Sequence, residues 1–141
     1  MPLPRPEPGL VIHFDYLWRH EHEAGREEGG KSRPCVIAAV SEDASGRLEI
    51  AVAPVTHAPP APPAAGVEIP PRVKHHLGLD DERSWVIATD LNVFLWPGVD
   101  LRPVPNAPAG TFDYGFLPPR LFGQIRQRIV AAGAVATRRS E

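Results

Sequence analysis

The chain is poor in the features that brace or anchor a protein from outside its own packing. It has one cysteine, Cys35, so an intramolecular disulfide is excluded and a reducing, cytoplasmic setting is expected. No apolar run approaches the roughly 20 residues that cross a bilayer as a helix, and the opening Met1-Pro2-Leu3-Pro4-Arg5-Pro6 lacks the apolar core of a signal peptide, so no membrane partner is expected. Neither sign of charge prevails: fifteen Lys and Arg face seventeen Asp and Glu, a formal net charge of −2. No global positive field holds nucleic acid on the surface, and any phosphate binding must be local. What is plentiful is proline, eighteen in 141 residues, scattered between short apolar runs. Long helices are thereby confined to the few proline-free windows.

The length and composition suit one domain. Residues 1–8 carry four prolines and read as a flexible arm, residues 9–134 as the domain, and residues 135–141 as a flexible tail. Leu10 to Tyr16 reads as a first strand, and Arg19 to Lys31, charged and glycine-rich, as a long mobile loop. Cys35 to Val40 is short and β-branched enough for a buried strand; Ser41 to Gly46 supplies a turn, and Leu48 to Val55 returns antiparallel to it. Beyond the proline-rich connector 59–71, with a short strand at Gly66 to Ile69, a turn of helix is expected before Gly78. Strands are then expected at Ser84 to Thr89 and Leu91 to Trp96, with an edge strand at Leu101 to Val104. Pro118 and Pro119 sit where a helix tolerates them. Leu121, Phe122, Ile125, Ile129 and Val130 then recur at helical spacing, with Arg126, Gln127 and Arg128 facing away. Short strands closed by one C-terminal helix give a mainly β class, a small barrel or strongly curled sheet.

Two polar clusters stand at the ends of the central strands. In Gly29-Gly30-Lys31-Ser32-Arg33-Pro34 the glycines permit close backbone approach, Lys31 and Arg33 supply charge, and Pro34 biases Arg33 toward extended geometry. The planar guanidinium matches phosphate oxygens and can stabilise a pentavalent phosphorus. The bland reading is a solvated rim. At the end of the third strand, Thr56 can hydrogen-bond a phosphate oxygen and His57 can shuttle a proton near neutral pH. A hairpin brings Thr56 and His57 beside Arg33; alternatively, both merely satisfy local backbone groups. His20-Glu21-His22-Glu23 and His75-His76 contain ligand types for zinc but no third and fourth ligand at a recognised spacing, so no metal and no cofactor are expected. Cys35 is expected to be a buried small hydrophobe. Trp85 is expected in the core, whereas Trp18, beside Arg19 at the mouth of the loop, is the better ligand contact.

The order of these pieces resembles the MazF/PemK family of toxin endoribonucleases, whose SH3-like β-barrel is shared with the gyrase poison CcdB. The resemblance rests on Pro8 to Asp15 as opening strand, the Arg-Pro element in Lys31 to Ile37, Val52 to Thr56 as third strand, Ser84 to Asp90 as late strand, and the helix from Leu117 to Val130. It implies an SH3-like barrel and metal-independent cleavage of single-stranded RNA by the ribose 2′-hydroxyl. It places the family's arginine on Arg33, as acid or charge stabiliser, and its threonine on Thr56, holding the phosphate; His57, not a general family feature, is expected to assist proton transfer, and Lys31, Ser32, Trp18 and Arg19 to contact RNA. It also implies a homodimer and a cognate antitoxin protein. The chain departs from the family in a longer first loop whose Glu21, Glu23, Glu27 and Glu28 repel RNA, and in the segments Pro59 to Pro63 and Asn106 to Gly115. A second expectation, of a different class, is therefore a catalytically inactive barrel that binds a protein or peptide.

Overall fold

The computed structural model describes residues 3–25 and 31–139. Gly29 and Gly30, half of the expected loop motif, lie outside the described residues. Eight strands form one branched sheet. In chain order the elements are β1 (Leu10–Tyr16), α1 (Arg19–Glu23), β2 (Lys31–Glu42), β3 (Leu48–Thr56), β4 (Gly66–Glu68), α2 (Pro71–Leu77), β5 (Trp85–Ile87), β6 (Asp90–Leu95), β7 (Asp113–Phe116), α3 (Pro119–Ala132) and β8 (Val135–Arg138). The main path runs β4-β5-β3-β2-β1-β7, with β6 joined to β3 and β8 to β6. All pairs are antiparallel except β6 with β8. The mainly β class with a C-terminal helix therefore holds, but the sheet does not close into a barrel.

The β2–β3 hairpin sets the geometry of everything that follows. Its turn is fixed by Asp43, whose Oδ1 accepts hydrogen bonds from the Ser45 and Arg47 backbone N–H groups at 2.9 Å each, and by Gly46 at φ +85°, where a side chain would be strained. From Glu42↔Leu48 the register runs through a shift between Ile37 and Ala39 to Cys35↔Pro54. There the ladder stops, because neither Pro34 nor Pro54 has an N–H to extend it. Beyond that pair β3 turns its other edge to β5, with Thr56 opposite Trp85.

Alternation along the strands sends side chains into two cores. Leu10, Ile12, Phe14, Tyr16, Cys35, Ile37, Ile50, Val52 and Phe94 fill one; Val11, Val36, Ala53, Val55, Val86, Leu77 of α2, and Leu121 and Ile125 of α3 fill the other. Pro118 caps α3 and Pro119 is its first residue, while Gly133 ends it in the left-handed region at φ +61°. Leu121 and Ile125 form the buried stripe, but Val130, expected on it, is 81 % exposed. Ile125→Ala should therefore cost about 2–5 kcal/mol of unfolding free energy, whereas Val130→Ala should stay within about 0.5 kcal/mol; urea denaturation of the two variants checks the contrast.

Several expectations change. The segment read as loop from Arg19 begins with the short helix α1, its Trp18 backbone N–H bonded to Glu21 Oε1 at 3.0 Å. Leu101 to Val104 is not a strand; Leu101 makes one isolated bridge to Phe14. The segment Asn106 to Gly115 leads into β7, which pairs with β1. Most consequentially, Val135–Arg138, read as tail, is a strand parallel to β6. Its residues are mostly exposed, so no apolar pattern announces it; Thr137 and Arg139 carry its burial. Pro6, in the segment read as an arm, is buried. Among the described residues no helix is long and apolar enough to cross a membrane.

Candidate functional site

Arg33 lies two residues before Cys35 and Thr56 two residues after Pro54, just past the last pair of the hairpin ladder. The strands part where the prolines end the ladder, and a cavity of about 380 Å³ opens there. Lys31, Ser32 and Arg33 of β2, Thr56 and His57 at the end of β3, and Lys74, Asp80 and Ser84 from the α2–β5 region line it. Five of the residues singled out from sequence thus meet in one place.

Arg33 is held by two contacts. Its Nη1 donates to the Val55 carbonyl at 3.4 Å, and its guanidinium lies 5.2 Å from the centroid of the Trp18 ring. That cation–π contact fixes the plane of the fork without using its donors. Its Nε is buried and has no hydrogen-bond partner among the described residues. A buried donor left unpaired is costly.

Trp18 is partly buried against the first core, edge-on to Tyr16 at 5.2 Å between ring centroids and stacked with His20 at 6.4 Å. It serves as the platform under Arg33 and does not line the cavity. Arg19 is directed elsewhere: its Nη1 donates to the Ala136 carbonyl at 3.3 Å, tying α1 to β8. Its backbone N–H donates to Asp90 Oδ2 at 3.1 Å. Asp90 also accepts a hydrogen bond from the Tyr16 hydroxyl, and burial holds its carboxyl above the usual aspartate range. Asp90, expected to close the late strand, instead opens β6 and is a strut of the fold.

Thr56 Oγ1 accepts the Ala58 N–H at 3.1 Å, a local turn that fixes the hydroxyl's position and leaves its proton available to a ligand. His57 is exposed, with Nε2 within hydrogen-bond distance of Asp80 Oδ2 at 2.8 Å and Nδ1 3.7 Å from Glu82 Oε2, beyond that distance. Asp80 is held in turn by Lys74, which is 4 % exposed. The Lys74 ammonium donates to Asp80 Oδ1 at 2.6 Å, to Ser84 Oγ at 2.7 Å and to the Glu82 carbonyl. Partial burial works against the Asp80 charge, but hydrogen bonding and attraction to Lys74, with His57 adding to them, hold its carboxyl below the usual range.

A depressed aspartate stabilises the fold above its unfolded pKa, and that contribution disappears as pH falls through the folded value. Asp80→Asn should accordingly narrow the stability difference between pH 7 and pH 2, with the change confined to below about pH 4. Denaturant midpoints across pH measure this.

Sequence reading missed Lys74, Asp80 and Ser84. Lys74 stands in an unremarkable turn of helix, and the run Asp80-Asp81-Glu82-Arg83 looks like any solvated bend. Only Gly78, left-handed at φ +73° and ending α2, hinted that the chain reverses there toward the sheet. Of the metal candidates, His20 and His22 lie on α1, and His75 and His76 are exposed on α2. The group whose ligand atoms do fall within 4.8 Å of one another is His57, Asp80 and Glu82. Its two carboxylates address different ring nitrogens, and Lys74 occupies one oxygen of Asp80, so the arrangement suits a clamped imidazole better than a shared cation. Cys35 is fully buried, and that burial pushes its thiol well above the usual range, which removes it as a nucleophile.

Compared with protein-family models the sequence matches none, and no curated protein matches it.

Proposed function

We propose that this chain is an endoribonuclease of the MazF/PemK type, its sheet an open relative of the SH3-like barrel, which cleaves single-stranded RNA without metal. The observation that carries this reading is a single cavity, at the end of the β2–β3 hairpin, lined together by Lys31, Ser32, Arg33, Thr56 and His57. A phosphodiester in that cavity meets the Arg33 guanidinium and the hydroxyl of Thr56, with Lys31 adding local charge in a chain that is otherwise slightly acidic. The 2′-oxygen then forms a bond to phosphorus as the P–O5′ bond breaks. The proton leaves the 2′-hydroxyl, the 5′-oxygen gains one, and the products are a 2′,3′-cyclic phosphate and a 5′-hydroxyl. Arg33 stabilises charge on the phosphoryl oxygens, since a guanidinium does not give up its proton in proteins. A homodimer and an antitoxin partner that covers the cavity, in the cytoplasm, belong to the same reading.

The test is incubation of the purified chain with a mixed single-stranded RNA pool in the presence of a chelator, followed by analysis of the new ends. Cleavage that leaves 2′,3′-cyclic phosphate and depends on Arg33 and Thr56 is the expected result. No cleavage over a broad substrate panel favours the protein- or peptide-binding reading instead, and loss of cleavage to the chelator would overturn the metal-independent chemistry.

A further inference from the structure

The cavity holds more order around His57 than a surface histidine ending a strand requires. Resting on the ribonuclease reading, we propose that Asp80 and Lys74 are positioning residues for His57, fixing the imidazole with its Nε2–H on Asp80 so that Nδ1 keeps the lone pair that takes the 2′-hydroxyl proton.

The direction of the bond follows from the partners. Asp80 Oδ1 already accepts from the Lys74 ammonium at 2.6 Å, and an ionised carboxylate can only accept. At 2.8 Å from Oδ2, Nε2 must then be the donor, which leaves Nδ1 as the acceptor in the neutral ring. Lys74 is itself fixed. It is buried, spends its donors on Asp80, Ser84 and the Glu82 carbonyl, and so ties the α2 helix to the bend that carries Asp80. Asp80 also receives the Glu82 backbone N–H at 3.1 Å on the oxygen that binds Lys74, which fixes the carboxylate plane. The chain Lys74 to Asp80 to His57 thus runs from the interior to an exposed ring on the cavity wall. When Nδ1 gains the proton, Glu82 Oε2, now 3.7 Å away, faces the new N–H. The proton balance is complete at this step: O2′ loses it to Nδ1 as the O2′–P bond forms, and water supplies the proton taken up by O5′.

The full-length protein, labelled with 15N in its histidine rings, reports the arrangement without any RNA. In the wild type at pH 8, Nε2 should carry the ring proton, Nδ1 should resonate as an unprotonated nitrogen, and the ring should hold one orientation. Asp80→Asn should average that orientation and shift both nitrogens. A wild-type ring protonated on Nδ1, or ring resonances unchanged in Asp80→Asn, would overturn the proposal whether or not RNA is cut. On RNA, Asp80→Asn should lower kcat about 10–100-fold with KM within about twofold, and Asp80→Glu should recover part of the loss. Wild-type turnover by Asp80→Asn sinks the idea. Should Lys74→Gln fail to fold, Ser84→Ala, which removes one Lys74 partner, should show a smaller loss in the same direction, and a KM effect alone would count against the proposal. A wild type that cuts no RNA at all would defeat the ribonuclease reading, while the ring spectra would still decide how His57 is held.

Discussion

Replacing Arg33 by alanine is expected to lower RNA cleavage by about 10²–10³-fold, the loss typical of removing a donor aimed at a developing oxyanion. The fold should survive, because among the described residues the side chain makes one long hydrogen bond, to the Val55 carbonyl, and a cation–π contact with Trp18. Arg33→Lys makes the sharper comparison. Lysine keeps the charge and loses the planar fork, so if geometry matters more than charge it should recover little of the rate. Trp18→Ala should act through the same residue: with the ring gone, the guanidinium is no longer held flat, and turnover should fall while the backbone at β2 is unchanged. Single-turnover cleavage of one short RNA by the three variants, with thermal melts run alongside, separates these expectations.

The largest effect on stability is expected where the last strand docks on the sheet. Arg139 is buried beside β8, with its Nη2 3.1 Å from Asp100 Oδ1, and its Nη1 donates to Asn92 Oδ1 at 3.0 Å and to the Asp15 carbonyl at 2.5 Å. Its guanidinium also lies 5.6 Å from the centroid of Phe14. Removing one partner of a buried ion pair strands the other, so Arg139→Ala should cost about 3–5 kcal/mol, read as a drop in the urea midpoint. The double variant Arg139→Met with Asp100→Asn should lose less than the single one, because no uncompensated charge then remains in the interior.

The readable parts of this fold are those where neighbours in sequence decide the outcome. The β2–β3 hairpin follows from two apolar runs about a turn containing Asp43 and Gly46, and it carries Arg33 and Thr56 to the lining of one cavity. α3 follows from two prolines at its start and an apolar stripe, although Val130 shows that the stripe is narrower than the pattern suggests. What was not readable depends on distant partners. β8 has no apolar alternation of its own; it becomes a strand because β6 offers an open edge and Arg139 finds Asp100 and Asn92. The Lys74–Asp80–His57 chain joins three elements through side chains that look solvated one at a time. Barrel closure is a property of sheet edges, and no local pattern in the sequence reports where those edges end.

The parallel pairing of β8 has a kinetic corollary. Parallel neighbours cannot be joined by a tight turn, and here α3 lies between β6 and β8 as the crossover. The contact from Arg139 to the Asp15 carbonyl closes a loop of 124 residues, so the last strand is recruited only after the sheet it docks on exists. Refolding should therefore show an early phase in which the β2–β3 hairpin acquires protection from hydrogen exchange, and a slower one in which Phe14 is sealed from solvent.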